Sequence, residues 1–131
     1  MIITIYKRGS AKVLFEMEAA GHREVLEEAL RLGVGLVSAD LEGINCPNAK
    51  LQGINLMFAN MKMANFGGSD LSEAKLNYIT GVGVLLDDAD LRNANLTGAN
   101  IRRANIDGAM MRGAILKEIN MKEVRVSQAI W

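Results

Sequence analysis

Ala89-Asp90-Leu91-Arg92-Asn93, Ala94-Asn95-Leu96-Thr97-Gly98 and Ala99-Asn100-Ile101-Arg102-Arg103 are three consecutive units built on one plan. A small residue comes first, then Asp or Asn, then a branched aliphatic, then two variable residues. The plan continues in both directions, from Val34 to Trp131, without a change of phase. The central position runs from Leu36, Leu41, Cys46 and Leu51 to Leu116, Met121, Val126 and Trp131. Two residues earlier stands a small or β-branched residue, most often alanine, as at Ala39, Ala59, Ala74, Ala104 and Ala129. Of these 40 positions 38 are apolar, where a chain that is 50% hydrophobic would supply about half; the exceptions are Ser69 and Gly81.

A helix repeats every 3.6 residues and a strand every 2. A period of five held over 20 units fits neither, and requires a backbone that turns by a fixed angle every five residues. Such self-similarity marks a stacked architecture in which each unit hides its apolar side only against its neighbours. The residue before the centre is Asn or Asp in 11 of 20 units, and these side chains favour turns by bonding to nearby backbone. Glycine recurs two residues after the centre, at Gly43, Gly53, Gly68, Gly98, Gly108 and Gly113, where a corner can demand positive φ.

These units resemble the A(D/N)Lxx repeats of the pentapeptide-repeat family, over residues 34–131. The resemblance implies a mainly β fold: a right-handed, four-sided parallel β-helix with four units per coil and about five coils. At an inter-strand spacing of about 4.8 Å that is a rod roughly 24 Å tall. The departures are Ser69 at a small position, Gly81 at a centre, and Thr80-Gly81-Val82-Gly83, which reads as a locally loose coil.

Residues 1–33 do not follow the period. Ile2–Lys7 and Lys12–Glu18 alternate in part around Arg8-Gly9-Ser10-Ala11, the pattern of a β-hairpin. From Gly21 to Leu32, Val25, Leu26, Ala29 and Leu30 share one side of an amphipathic helix, and Gly33 suits its C-terminal cap. The expected organisation is a hairpin-helix cap (1–33) covering the open end of one solenoid (34–131).

No run approaches the 18 or more apolar residues of a membrane span, and Met1–Lys7 lacks the long apolar core of a signal peptide; a cytosolic protein is the expectation. Cys46 is alone and inward, so neither a disulfide framework nor a metal cluster is expected. His22 has no nucleophile beside it, Gly33-Val34-Gly35 and Gly81-Val82-Gly83 are turn material, and Asp87, Asp88 and Asp90 do not all point to one side of the expected rod. No catalytic residue and no cofactor are assigned, and the chain is not expected to be an enzyme.

The charge is zero overall, but residues 34–91 carry seven acidic and three basic side chains while residues 92–131 carry three and seven. A dedicated nucleic-acid binder is usually basic overall, so direct nucleic-acid binding is not expected. Residues 20 apart should stack. That puts Phe58 below Tyr78, gathers Lys62, Arg102, Arg103 and Lys122 on the next side and Asp87, Asp88 and Asp107 beyond it, and stacks Arg92 on Arg112. The candidate partner-binding residues are Phe58, Tyr78, Arg102, Arg103 and Lys122. Outward positions turn apolar late, at Met110, Ile115 and Ile130, before Trp131. These four form the candidate interface of an end-to-end homodimer, a mode the family resemblance also implies.

The function expected is a non-catalytic scaffold for an unidentified protein partner. Two alternatives stay open. The family resemblance suggests a mimic of duplex DNA that binds DNA gyrase or topoisomerase IV, as in members that confer quinolone resistance; those are long and acidic, whereas this chain is short and neutral. The other is a purely structural component of a larger assembly.

Overall fold

The computed structural model describes residues 1–131. Its organising feature is a series of parallel backbone bridges between residues twenty apart, from Asp40–Asn60 through Asp70–Asp90 to Met110–Ile130. Central residues donate forward, as Leu51 N–H does to the Asp70 carbonyl at 2.9 Å; residues before the centre donate backward, as Asn60 N–H does to the Ala39 carbonyl at 2.9 Å. Twenty residues, or four units, therefore close one coil of a parallel β-helix-like stack.

Each unit turns at its end. The central carbonyl accepts from the N–H three residues on, for example Leu56 from Ala59 at 3.0 Å. The residue two after the centre has positive φ in every unit from Ser38 to Gln128. Positive φ at the third of four turn residues is the signature of a type II turn. Glycine supplies seven of these positions and a side-chain-bearing residue twelve. Each of the twelve carries strain of order 1–3 kcal/mol, offset by the ladders above and below.

The residue before the centre explains its own chemistry. In ten of the eleven Asn or Asp units the side-chain oxygen accepts from the backbone N–H two residues on, as Asn65 does from Gly67 at 2.9 Å and Asn95 from Thr97 at 3.0 Å. Asn45 is the exception because the residue two on is Pro47, which has no N–H. Its oxygen accepts from the Asn65 amide of the next coil instead, at 2.9 Å.

The inward positions make one continuous core in which Leu51, Leu71, Leu91, Ala59 and Phe66 are fully buried. The coil at Thr80–Gly83 is not loose, contrary to the expectation. Gly81 N–H donates to the Asn100 carbonyl at 2.7 Å, Gly83 N–H to the Arg102 carbonyl at 2.8 Å, and Val84 N–H to the Gly81 carbonyl at 3.0 Å. The missing side chain is filled by neighbours: a Cβ on Gly81 would lie 3.2 Å from Val84 Cγ1 and 3.3 Å from Ile101 Cγ2.

Ahead of the stack come β1 (Ile2–Lys7), β2 (Val13–Glu18) and α1 (His22–Arg31), and the first coil contributes β3 (Ala39–Asp40). β1 pairs antiparallel with β2 and, on its other edge, with β3 through Tyr6–Asp40 and Lys7–Ala39. The sheet order β2-β1-β3 prolongs one side of the stack. Helix α1 ends in a Schellman motif: Gly33 (φ 69°) donates to the Leu30 carbonyl at 3.1 Å and Val34 to the Ala29 carbonyl at 2.9 Å. Val25, Leu26 and Ala29 are fully buried and belong to the same core as the coils. No helix is long and apolar enough to cross a membrane.

At the other end the packing opens. Met111 is 3% exposed, whereas Val126 is 44% and Trp131 56% exposed, and Leu116, Met121 and Val124 are only half-buried.

Candidate interaction surface

Stacking at twenty residues sorts outward side chains into columns on four sides. The side whose inward centres are Leu41, Met61, Gly81, Ile101 and Met121 is the most differentiated, and all five candidate partner-binding residues fall on it or its corner. Phe58 and Tyr78 form the corner. Their rings stack with centroids 5.3 Å apart and planes 11° apart, and they are 45% and 46% exposed. Tyr78 leans over Gly98 of the next coil, where an added Cβ would strike the ring. Arg8, in the hairpin loop, secures this corner: its Nη1 donates to the Phe58 carbonyl at 3.1 Å and to Thr80 Oγ1 at 3.2 Å.

Across this side runs the column Glu42, Lys62, Val82, Arg102 and Lys122, and the far corner carries Met63, 62% exposed, and Arg103. Sequence reasoning gathered the basic residues but overlooked Glu123 and Glu42 among them. Arg103 Nε donates to Glu123 Oε2 at 2.8 Å. That hydrogen bond, and then the charge attraction, raises the Arg103 pKa and lowers that of the Glu123 carboxyl. Lys62 Nζ lies 3.9 Å from Glu42. Arg102 differs: its Nε is shielded from solvent and has no hydrogen-bond partner. The signal that could have found Glu42 and Glu123 was the same step of twenty that found Arg102.

The remaining sides offer less. Asp87, Asp88 and Asp107 share a side, but Arg125 pairs with Asp107 at 3.2 Å and reduces the acidic patch. Asp90 points to the next side, where Arg92 grips it through two bonds of 2.9 and 2.6 Å; those bonds hold the Asp90 carboxyl below the usual carboxylate range. Arg112 stacks one coil beyond and has no acidic partner within ion-pair distance. With Arg92, Met110 and Ile130 it lines a groove of about 200 Å³. The largest depression, about 530 Å³, is an open one between α1 and the stack, with Leu30, Asn48, Lys50, Gln52 and Asp70 at its edge.

The four candidate dimer residues are distributed over two adjoining sides. Met110 and Ile130 share a column, Met110 half-buried one coil inside the end. Ile115 lies on another side, 48% exposed. The inward residues Leu116 and Met121, half-buried, and Val126, exposed, were not among the candidates. Cys46 is buried and its thiol is pushed up to about 12 by that burial. His22 opens α1, and no group of three metal-ligating side chains occurs.

A coil of four turn-and-bridge units, repeated with its inward positions apolar and its outward positions free, defines a repeat solenoid that displays ladders of side chains. The chain belongs to the pentapeptide-repeat family: the pattern described as "Pentapeptide repeats" matches residues 36–77 and 82–129, in eight copies. Among solved structures it is similar to Rfr23, a pentapeptide-repeat protein of the cyanobacterium Cyanothece 51142, at 34% identity and a TM-score of 0.69, covering 70% of this chain and 63% of that one. The chain thus spans 63% of the Rfr23 chain's length. It also matches a trypsin-treated variant of QnrB1, a plasmid-mediated fluoroquinolone resistance protein, at 22% identity and a TM-score of 0.45, covering 69% and 52% of the two chains. A pentapeptide-repeat protein of the Arabidopsis thaliana thylakoid lumen matches at 29% identity and a TM-score of 0.35, covering 60% and 59%. No curated protein matches.

Proposed function

We propose that this chain is a non-catalytic cytosolic scaffold that presents one side of a rigid rod to a protein partner. The observation that carries this reading is the convergence of Phe58, Tyr78, Arg102, Arg103 and Lys122 on one side and its corner. A preorganised surface loses little conformational entropy on binding, and exposed aromatic and arginine side chains are the usual anchors of protein interfaces. The rod is a right-handed, four-sided helix of about five coils. Residues 1–33 cap it and fold with residues 34–131 as one unit, a reading supported by the core shared between α1 and the coils. A second copy covers the apolar end at Ile115, Ile130 and Trp131, supported by their exposure of 48%, 58% and 56%; Met110 supports the edge of that contact.

Mimicry of DNA toward gyrase has no comparable support, because the acidic side chains are divided among several sides and Arg92 and Arg125 pair with Asp90 and Asp107. The test is capture from a bacterial lysate by the tagged chain and by a variant carrying Arg102→Glu, Arg103→Glu and Lys122→Glu. A partner retained by the parent chain and lost by the variant supports the scaffold. Equal retention by both, or by neither, overturns the assignment of this side. Recovery of gyrase subunits would favour mimicry instead.

A further inference from the structure

The side that carries the aromatic corner is crossed five times, by residues 38–43, 58–63, 78–83, 98–103 and 118–123, and its first and fourth crossings carry opposite charge. Acidic residues stand at the first crossing, with Asp40 and Glu42, and basic ones at the fourth, with Arg102 and Arg103; Lys62 lies at the second, and at the fifth Lys122 stands between Glu118 and Glu123, the latter paired with Arg103. The exposed apolar groups Phe58, Met63 and Tyr78 occupy only the second and third. We infer that this side is self-complementary and pairs two copies of the chain laterally, with their rods antiparallel. The inference rests on the proposal that this side is the working surface, and it names a partner for it.

The pairing follows from a two-fold axis lying in the contact plane, parallel to the strands, between the second and third crossings. Such an axis exchanges the first crossing with the fourth and the second with the third, and the same patch serves both copies. Glu42 of one copy then meets Arg102 of the other, Phe58 meets Tyr78, Met63 meets Gly83, and Lys62 meets Val82. No like charges face each other. Lys122 falls opposite β1, beside Glu16 of β2. Arg102, which has no ion pair within its own chain, gains a carboxylate at the outer end of its guanidinium.

The register is specified as well. Moving the axis onto the third crossing would set Glu42 against Lys122 but Lys62 against Arg102, and that like-charge juxtaposition opposes the shifted register. A purely acidic partner fits less well, because Asp40 and Glu42 would face it. The side is narrow, below the roughly 800 Å² per partner of a standard interface, so the pair is weak and sensitive to salt.

The test is charge exchange read by sedimentation velocity over a concentration series at low and high salt. Glu42→Arg and Arg102→Glu each set two like-charged contacts in the pair, and each is expected to weaken self-association by at least about tenfold. The double variant Glu42→Arg/Arg102→Glu restores it. Circular dichroism checks that each variant folds. A mixture of Glu42→Cys and Arg102→Cys chains is expected to form a disulfide-linked heterodimer that neither variant forms with itself. Lack of self-association in the parent chain, failure of the double variant to recover, or equal linking of Glu42→Cys with itself overturns the inference. Trp131→Ala in the same series separates it from end-to-end pairing, which that substitution alone weakens. Lysate capture lost with Arg102→Glu but without self-association would leave the working-surface proposal standing and remove this one.

Discussion

Ser69 breaks the repeat's alanine rule for a reason that lies in the previous coil. The turn at Cys46–Ala49 is the single one from Leu36 to Val126 without a direct bond from its fourth N–H to its first carbonyl. Ser69 Oγ is inserted there, accepting from Ala49 N–H at 3.0 Å and donating to the Cys46 carbonyl at 3.1 Å. Ser69→Ala would strand both buried groups and is expected to cost about 1–3 kcal/mol, read from urea unfolding. A loss of only a few tenths would mean that the turn closes on itself. Two glycines with the same positive φ give a second contrast. A Cβ on Gly43 meets open space, while one on Gly98 strikes the Tyr78 ring. Gly98→Ala should therefore lower the melting temperature more than Gly43→Ala, and equal losses would show that backbone strain alone decides. Cys46 supplies a pH dependence. Its thiol ionises near 9.0 when unfolded and is pushed up to about 12 by burial in the fold, so above pH 9 the unfolded chain holds fewer protons and stability falls with pH. Cys46→Ala should lose less stability than the parent between pH 9 and 11; parallel losses would contradict this burial effect.

The elements show how far local pattern reaches. The hairpin and α1 sit where alternation and amphipathicity put them, with the second strand starting at Val13 rather than Lys12 and the helix spanning His22–Arg31 between Gly21 and Leu32. The pentads were legible because each answers to one short-range demand, a turn every five residues, written as Asn or Asp before the centre and glycine after it. Twelve corners without glycine were less legible, because the stack, not the residue, holds them at positive φ. The tightness of Thr80–Gly83 was illegible for a similar reason: Ile101 of the next coil fills the gap at Gly81, and local sequence does not contain it. Leu26, fully buried against the coils, tests whether cap and stack fold together. Leu26→Ala is expected to destabilise the whole chain by about 2–5 kcal/mol in one transition. Separate melting of α1 would show that the cap is an independent piece.

At the scale of the whole molecule, the step of twenty turns a linear sequence into four inscribed sides, and this much of the candidate surface was readable beforehand: Phe58 over Tyr78, and Arg102 beside Lys122. What was not readable is which charges are spent within the chain. Arg103 is bound by Glu123, Arg92 by Asp90 and Arg125 by Asp107, so formal charge counts overstate the field that a partner meets. The central claim, that one side works while the others are solvated, is tested most directly by chemical footprinting of lysines and arginines in lysate against buffer. Lys62, Arg102 and Lys122 are predicted to lose reactivity in lysate while Lys75, Arg112 and Lys117 keep theirs. Protection spread evenly over all sides, or confined to Arg112 and its neighbours, would contradict the account.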